Sequence, residues 1–148
     1  MMRAVLLLPF ALQAAAAFVD ERRYHVRRGL PRWERIGHPL DTLTVVLAYL
    51  WALVHAPTRG ALFGYVGLSL FSCLFITKDE PIHARLCDGG EMWIHAVQFV
   101  LHPMVLLAYA LLWLGGGHET LLALLAGATA IFGVYQLVYW NFLWKPAR

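Results

Sequence analysis

Long apolar runs occupy residues 4–19, 43–56, 61–77, 92–114 and 120–144, and two short polar blocks interrupt them. Runs of this length and composition predict membrane-spanning helices. Between them lie turn signals. Gly29-Leu30-Pro31 ends a helix that carries Glu21 and His25 and stops near Arg28. Pro39 suits the first turn of the second span. Pro57-Thr58-Arg59-Gly60 and Gly115-Gly116-Gly117 turn the chain, and Pro81 with Gly89-Gly90 are expected to break the second polar block. The predicted fold class is an all-α integral membrane bundle of five transmembrane helices, one domain over residues 1–148.

The polar blocks repeat a pattern. Asp20-Glu21, His25, Glu34 and His38 are followed later by Asp79-Glu80, His83, Glu91 and His95. The order is acid-acid, His, Glu, His both times, and each copy closes on Glu-x-x-x-His. Each also stands between two apolar runs. This predicts two parallel helix-pair repeats, residues 4–56 and 61–113, with an extra helix over 118–144 as a buttress or lid. Arg3, an apolar stretch and the alanines before Val19-Asp20 also resemble a secretory signal. A retained first helix keeps the repeat whole and is the preferred reading.

Composition agrees with a membrane protein: 60% of residues are hydrophobic, only 14% are charged, and there are six Trp. The net charge of +3 does not mark nucleic-acid binding, because the basic residues flank apolar runs. Five spans put both polar blocks and the C-terminus on one side. That side holds ten of the twelve Lys and Arg residues, the other only Arg3 and Arg59. The positive-inside rule then expects the C-terminus in the cytoplasm and the N-terminus outside, in a bacterial inner membrane. Tyr139, Trp140 and Trp144 are expected at the headgroup level. Cys73 and Cys87 make no disulfide framework or metal spacing, and Cys73 is expected to be a small core residue.

Residues four apart share a helix face, so Glu21 with His25, Glu34 with His38, Asp79 with His83, and Glu91 with His95 are expected to converge. Carboxylate mixed with imidazole suits iron, manganese or zinc, whereas calcium and magnesium take oxygens alone. The candidate metal ligands are Asp20, Glu21, His25, Glu34, His38, Asp79, Glu80, His83, Glu91 and His95, expected to hold two transition-metal ions, with iron preferred. Glu/His pairs on facing helices resemble the design of ferritin-like di-iron centres, although those use Glu-x-x-His and the likeness assigns no residues. The histidine boxes of membrane desaturases and hydroxylases do not occur here. The competing reading is a solvated boundary with ion pairs such as Asp20 with Arg23, which needs no metal.

Deeper in the fourth span lie Gln98 and His102, the candidate catalytic residues. His102 is seven residues beyond His95, about 10 Å further into the bilayer on the same face, and ionisable groups there are functional candidates. It is a candidate extra ligand, supporting donor or proton relay, and Asp41 occupies a related position after His38. No haem is expected, because His102 has no histidine at matching depth: His55 and His118 belong near the opposite face. The expected function is a non-haem di-iron oxidoreductase facing the cytosol, acting on a lipid-soluble substrate with an electron donor. The alternatives are a zinc-dependent membrane hydrolase, a metal carrier or transporter, and a structural membrane module.

Overall fold

The computed structural model describes residues 2–145, and every regular element among them is helical. Five helices are long and apolar enough to cross a membrane: α1 (Ala4–Arg28), α2 (Arg32–Val54), α3 (Arg59–Leu86), α4 (Gly89–Gly115) and α5 (Glu119–Leu143). Arg148 and the Arg3 side chain, which entered the charge count above, lie outside what the structure describes.

The helices continue through the polar blocks, which departs from the turn signals in three places. Pro39 does not open the second helix. α2 begins at Arg32, so Pro39 lies in its interior. The missing Pro39 N–H leaves the Arg35 carbonyl without its usual partner, and Asn141 Nδ2 of α5 donates to that carbonyl at 3.1 Å. Pro81 breaks nothing, because it occupies the first turn of the Glu80–Leu86 segment, where no backbone donor is needed. Gly89-Gly90 belong to the first turn of α4. Asp88 caps it, its side chain accepting from the Gly90 and Glu91 amides at 2.8 and 2.9 Å. The break falls at Cys87, whose backbone is extended.

The turn after Arg28 does form. Gly29 takes φ 77°, a conformation that side chains disfavour. The Trp144 ring also fills the space where a Cβ would stand, 2.5 Å away.

α1 packs along α4, while α2 lies between α3 and α5. Small residues make these approaches close: Ala48 and Ala52 of α2, Ala61 of α3, Ala108 of α4 and Ala126 of α5 are all buried. Tyr49 and Tyr109 stack face to face at 3.8 Å among them. Their region holds its polar atoms in hydrogen bonds. Tyr65 Oη donates to the Leu106 carbonyl at 2.7 Å, Tyr109 Oη to that of Leu122 at 3.0 Å, and Trp113 Nε1 to that of His55 at 3.0 Å. Cys73 packs against this core half-buried, as a small core residue should. The outward faces carry large apolar residues such as Leu8, Phe18, Phe63, Leu74, Leu107 and Ile131.

Two glycines of α3 test the packing. A Cβ on Gly64 would run into the Trp51 ring, while one on Gly67 would meet nothing within 4 Å. Trp51 is held by its own bond to the Ala61 carbonyl at 2.8 Å. Gly64→Ala is expected to lose about 1–3 kcal/mol through overpacking. Gly67→Ala is expected to gain up to about 1 kcal/mol of helix propensity. Thermal unfolding of the two variants in detergent, followed by circular dichroism, should move their midpoints in opposite directions.

Candidate metal centre

The helix irregularities aim the ligands. A stretch of π-helix over Asp20–His25 inserts one extra residue per turn, so the Val26 amide reaches back to the Glu21 carbonyl. Asp20 and His25, five apart, therefore share a face. In the second copy a 3-10 turn over Ile76–Asp79 leads into α-helix, and its acid and His stand four apart.

Two groups result, buried except for the half-buried His38. Asp20 and His25 of α1 meet Glu91 and His95 of α4, and Glu34 and His38 of α2 meet His83 of α3. Within each group one ligand atom per residue lies within 4.8 Å of the others. Ligands about 2.1 Å from a shared ion lie about 3.4 Å apart in a tetrahedron, so the widest pairs would have to close by about 1.4 Å to complete each shell. In the first group His25 Nε2 is 3.4 Å from Asp20 Oδ1 and 3.7 Å from Glu91 Oε1, and His95 Nε2 is 3.3 Å from Asp20 Oδ2. In the second, His83 Nε2 is 3.9 Å from Glu34 Oε1. The groups adjoin. Ring centroids of His83 and His95 are 4.2 Å apart, and those of His25 and His38 are 5.0 Å apart. The Arg28 guanidinium bridges them, 2.7 Å from Glu91 and 3.5 Å from Glu34.

Three of the ten proposed ligands stand outside the two groups. Glu21 accepts from Tyr135 Oη at 2.8 Å and Trp140 Nε1 at 3.0 Å, and its other oxygen is 3.3 Å from His25 Nδ1. A proton on His25 Nδ1 would point to this carboxylate and leave the Nε2 lone pair free for an ion held by the group. A carboxylate behind the imidazole is the usual support of a ligating histidine. Glu80 stands near His83 without a hydrogen bond, 3.7 Å from Nδ1, with its side chain 40% exposed. Asp79 is turned away: Lys78 Nζ binds it at 2.7 Å, and Trp33 Nε1 also donates to it. Asp41 shares that lysine at 2.6 Å.

The two candidate catalytic residues differ in reach. Gln98 Nε2 donates to Asp20 Oδ2 at 2.9 Å. His102 lies deeper and bonds through Nε2 to Ser72 at 2.9 Å. Both line a cavity of about 720 Å³ that begins at Asp20, His38, His83 and His95 and descends to Tyr49, Val105 and Leu125. Asp20 makes no pair with Arg23; its partners are His25, His95 and Gln98.

Sequence patterns did not point to Tyr135, Arg28, Trp33 or Ser72. Trp140, expected at the headgroups, is fully buried against Glu21. The signal that could have found it is the five-residue step from Tyr135 to Trp140, which shares one face only if the last helix loosens, as it does over Tyr139–Leu143.

The groups fit a cation. Asp20 Oδ1, His25 Nε2 and His95 Nε2 in the first group are buried without hydrogen-bond partners among the described residues. So are both Glu34 oxygens, His38 Nε2 and His83 Nε2 in the second. Lone pairs buried without donors are costly, and an ion satisfies them together. Cys87 belongs to neither group, and burial, with Glu91 nearby, pushes its thiol up to about 12. Compared with protein-family models, curated proteins and solved structures, the chain matches none.

His25→Ala, His38→Ala, His83→Ala and His95→Ala should each lower bound metal, weakening affinity by at least the roughly 10–100-fold seen when supporting groups are lost. His55, stacked on Trp51 at the far end of α2, and His118, before α5, are the controls. Equal metal retention in all six variants, measured by elemental analysis, would refute the centre.

Proposed function

We propose that the protein is an integral membrane metalloenzyme whose two adjoining groups hold two metal ions, iron by preference, and oxidise a lipid-soluble substrate. The observation that carries this reading is the opening of a largely apolar cavity directly onto both groups. Three features support it. Away from the polar blocks the outward faces of the helices carry large exposed apolar residues. The second group offers three protein ligands where the first offers four, which leaves room for a reactant. Mixed carboxylate and imidazole ligation with an open position suits non-haem iron.

The chain's own residues would do the positioning. Glu21, held by Tyr135 and Trp140, orients His25, and Gln98 steadies Asp20 at the mouth of the cavity. Arg28 offsets the charge of Glu91 and Glu34. A di-iron centre supplies oxidation by dioxygen, with electrons from a donor. Phe10, Val45, Val105 and Phe132 would shelter an apolar substrate from water.

The repeat belongs to this proposal. The first group takes an Asp and His from α1 and the Glu-x-x-x-His of α4, and the second takes a His from α3 and the Glu-x-x-x-His of α2. That exchange, with α1 packed on α4 as α3 packs on α2, is what two helix pairs related by a pseudo-two-fold axis would produce. A zinc hydrolase is the second reading, favoured by the part-exposed Glu80 beside His83 as a base. Metal transport is disfavoured, because the stacked tyrosines at positions 49 and 109 close the path below the cavity.

Elemental analysis of the detergent-purified protein, with absorption spectra before and after reduction, tests the reading. About two irons per chain and a redox-sensitive spectrum are expected. Zinc instead of iron would transfer the case to hydrolysis, and no metal would leave a structural module.

Orientation is tested separately. Reporter fusions at the C-terminus and within the Gly115–Gly117 turn should report the cytoplasm and the outside, respectively. A C-terminal signal from outside would overturn the proposed cytosolic face.

A further inference from the structure

We infer that the substrate is a mainly apolar molecule bearing a hydroxyl, and that His102 and Gln13 hold this hydroxyl about 10 Å from the metal groups. The inference rests on the cavity being the substrate site.

A one-way chain of hydrogen bonds sets the acceptor. Thr44 Oγ1 lies 2.7 Å from the Asp41 carbonyl, which can only accept, so the single Thr44 hydroxyl hydrogen is spent there. Thr44 and Ser72 hydroxyls are 2.6 Å apart, so Ser72 must donate to Thr44. Ser72 Oγ then has only lone pairs left for His102 Nε2 at 2.9 Å, and His102 must donate through an Nε2–H. In the neutral imidazole the other nitrogen, Nδ1, is therefore an acceptor. No residue among those described bonds to it, and His102, 7% exposed, lines the cavity.

A second unpartnered group stands at the same depth. Gln13 lines the cavity from α1, and its side-chain Oε1 is buried without a hydrogen bond. It lies seven residues before Asp20, as His102 lies seven beyond His95, and Asp20 and His95 touch. Both are thus two helical turns below the first metal group. A carboxamide offers donor and acceptor atoms, whereas the histidine nitrogen only accepts. A hydroxyl donates its one hydrogen to His102 Nδ1, and its oxygen accepts from the Gln13 carboxamide through Nε2, the donor atom of that group. A saturated hydrocarbon would leave both unpaired, and the rest of the wall is too apolar for a highly polar molecule. Long-chain alcohols and hydroxylated lipids have this chemistry. Such a substrate would meet the metals at a position remote from its hydroxyl.

The test uses metal-free protein in detergent with nitrogen-15 histidine, so that metal loading and this inference succeed or fail separately. The free protein should show His102 as the Nε2–H tautomer, its signals identified by their loss in His102→Phe. Dodecanol should shift the His102 Nδ1 resonance saturably, and dodecyl methyl ether at equal concentration should not. His102→Phe should weaken dodecanol binding about tenfold, the effect of one buried hydrogen bond, and leave the ether unchanged. Should that variant fail to fold, the alcohol–ether comparison on the native chain decides alone. Equal binding of the two probes, binding of neither, or an Nδ1–H tautomer would overturn the inference.

Discussion

Buried carboxylates need positive charge, and most of this molecule's polar architecture answers that need. Asp20, Glu21, Glu34, Glu91 and Asp79 are all buried at one end of the bundle. Two cations reach them among the described residues: Arg28 serves Glu91 and approaches Glu34, and Lys78 serves Asp79 and Asp41. Glu21 is satisfied by neutral donors. Asp20 and Glu34 keep unpartnered oxygens that face imidazole nitrogens, and taking such atoms out of water costs several kcal/mol unless a cation compensates. Metal ions would meet this demand where hydrogen bonds do not, and their binding would add to the stability of the fold.

The same demand accounts for the irregular helix turns. A regular α-helix through Asp20–His25 would put Glu21, not Asp20, on the face of His25. The π stretch brings Asp20 round to that face, while the Glu21 carboxylate still reaches Nδ1 behind the ring. The loosened end of α5 presents Trp140 to Glu21, and the Asn141 amide meets the carbonyl freed by Pro39. π stretches of this kind occur mostly at functional sites.

The two groups draw on the same residue types but are not alike. Three residues beyond His95 stands Gln98, which binds Asp20; three beyond His38 stands Asp41, which competes with Asp79 for Lys78. Gln98 donates to Asp20 and leaves it in the first group, whereas Lys78 and Trp33 hold Asp79 out of the second. Under the proposed function that asymmetry separates a fuller ligand set from an open one. At the other end of the bundle the alanine contacts and the tyrosine stack form a closed core, so the cavity lies between a polar end and a rigid floor.

The five helices and the candidate ligands were legible in the sequence because both are local properties. Apolar run length sets helix number, and a Glu-x-x-x-His step shares a face wherever the helix is regular, as around Glu34 and Glu91. Where the helix is irregular, the sequence misled. The face of Asp20 depends on a π turn, and the continuity of α3 through Pro81 depends on the preceding 3-10 turn. Which ligands meet was decided only by packing. His25 joins Glu91 and His95, and His83 joins Glu34 and His38, because α1 lies on α4 and α3 on α2. Glu21 and Asp79 carry the same local pattern as their neighbours, yet Tyr135, Trp140, Trp33 and Lys78 claim them. A carboxylate's role follows from the donors nearest to it in space, and those donors come from residues far away in the chain.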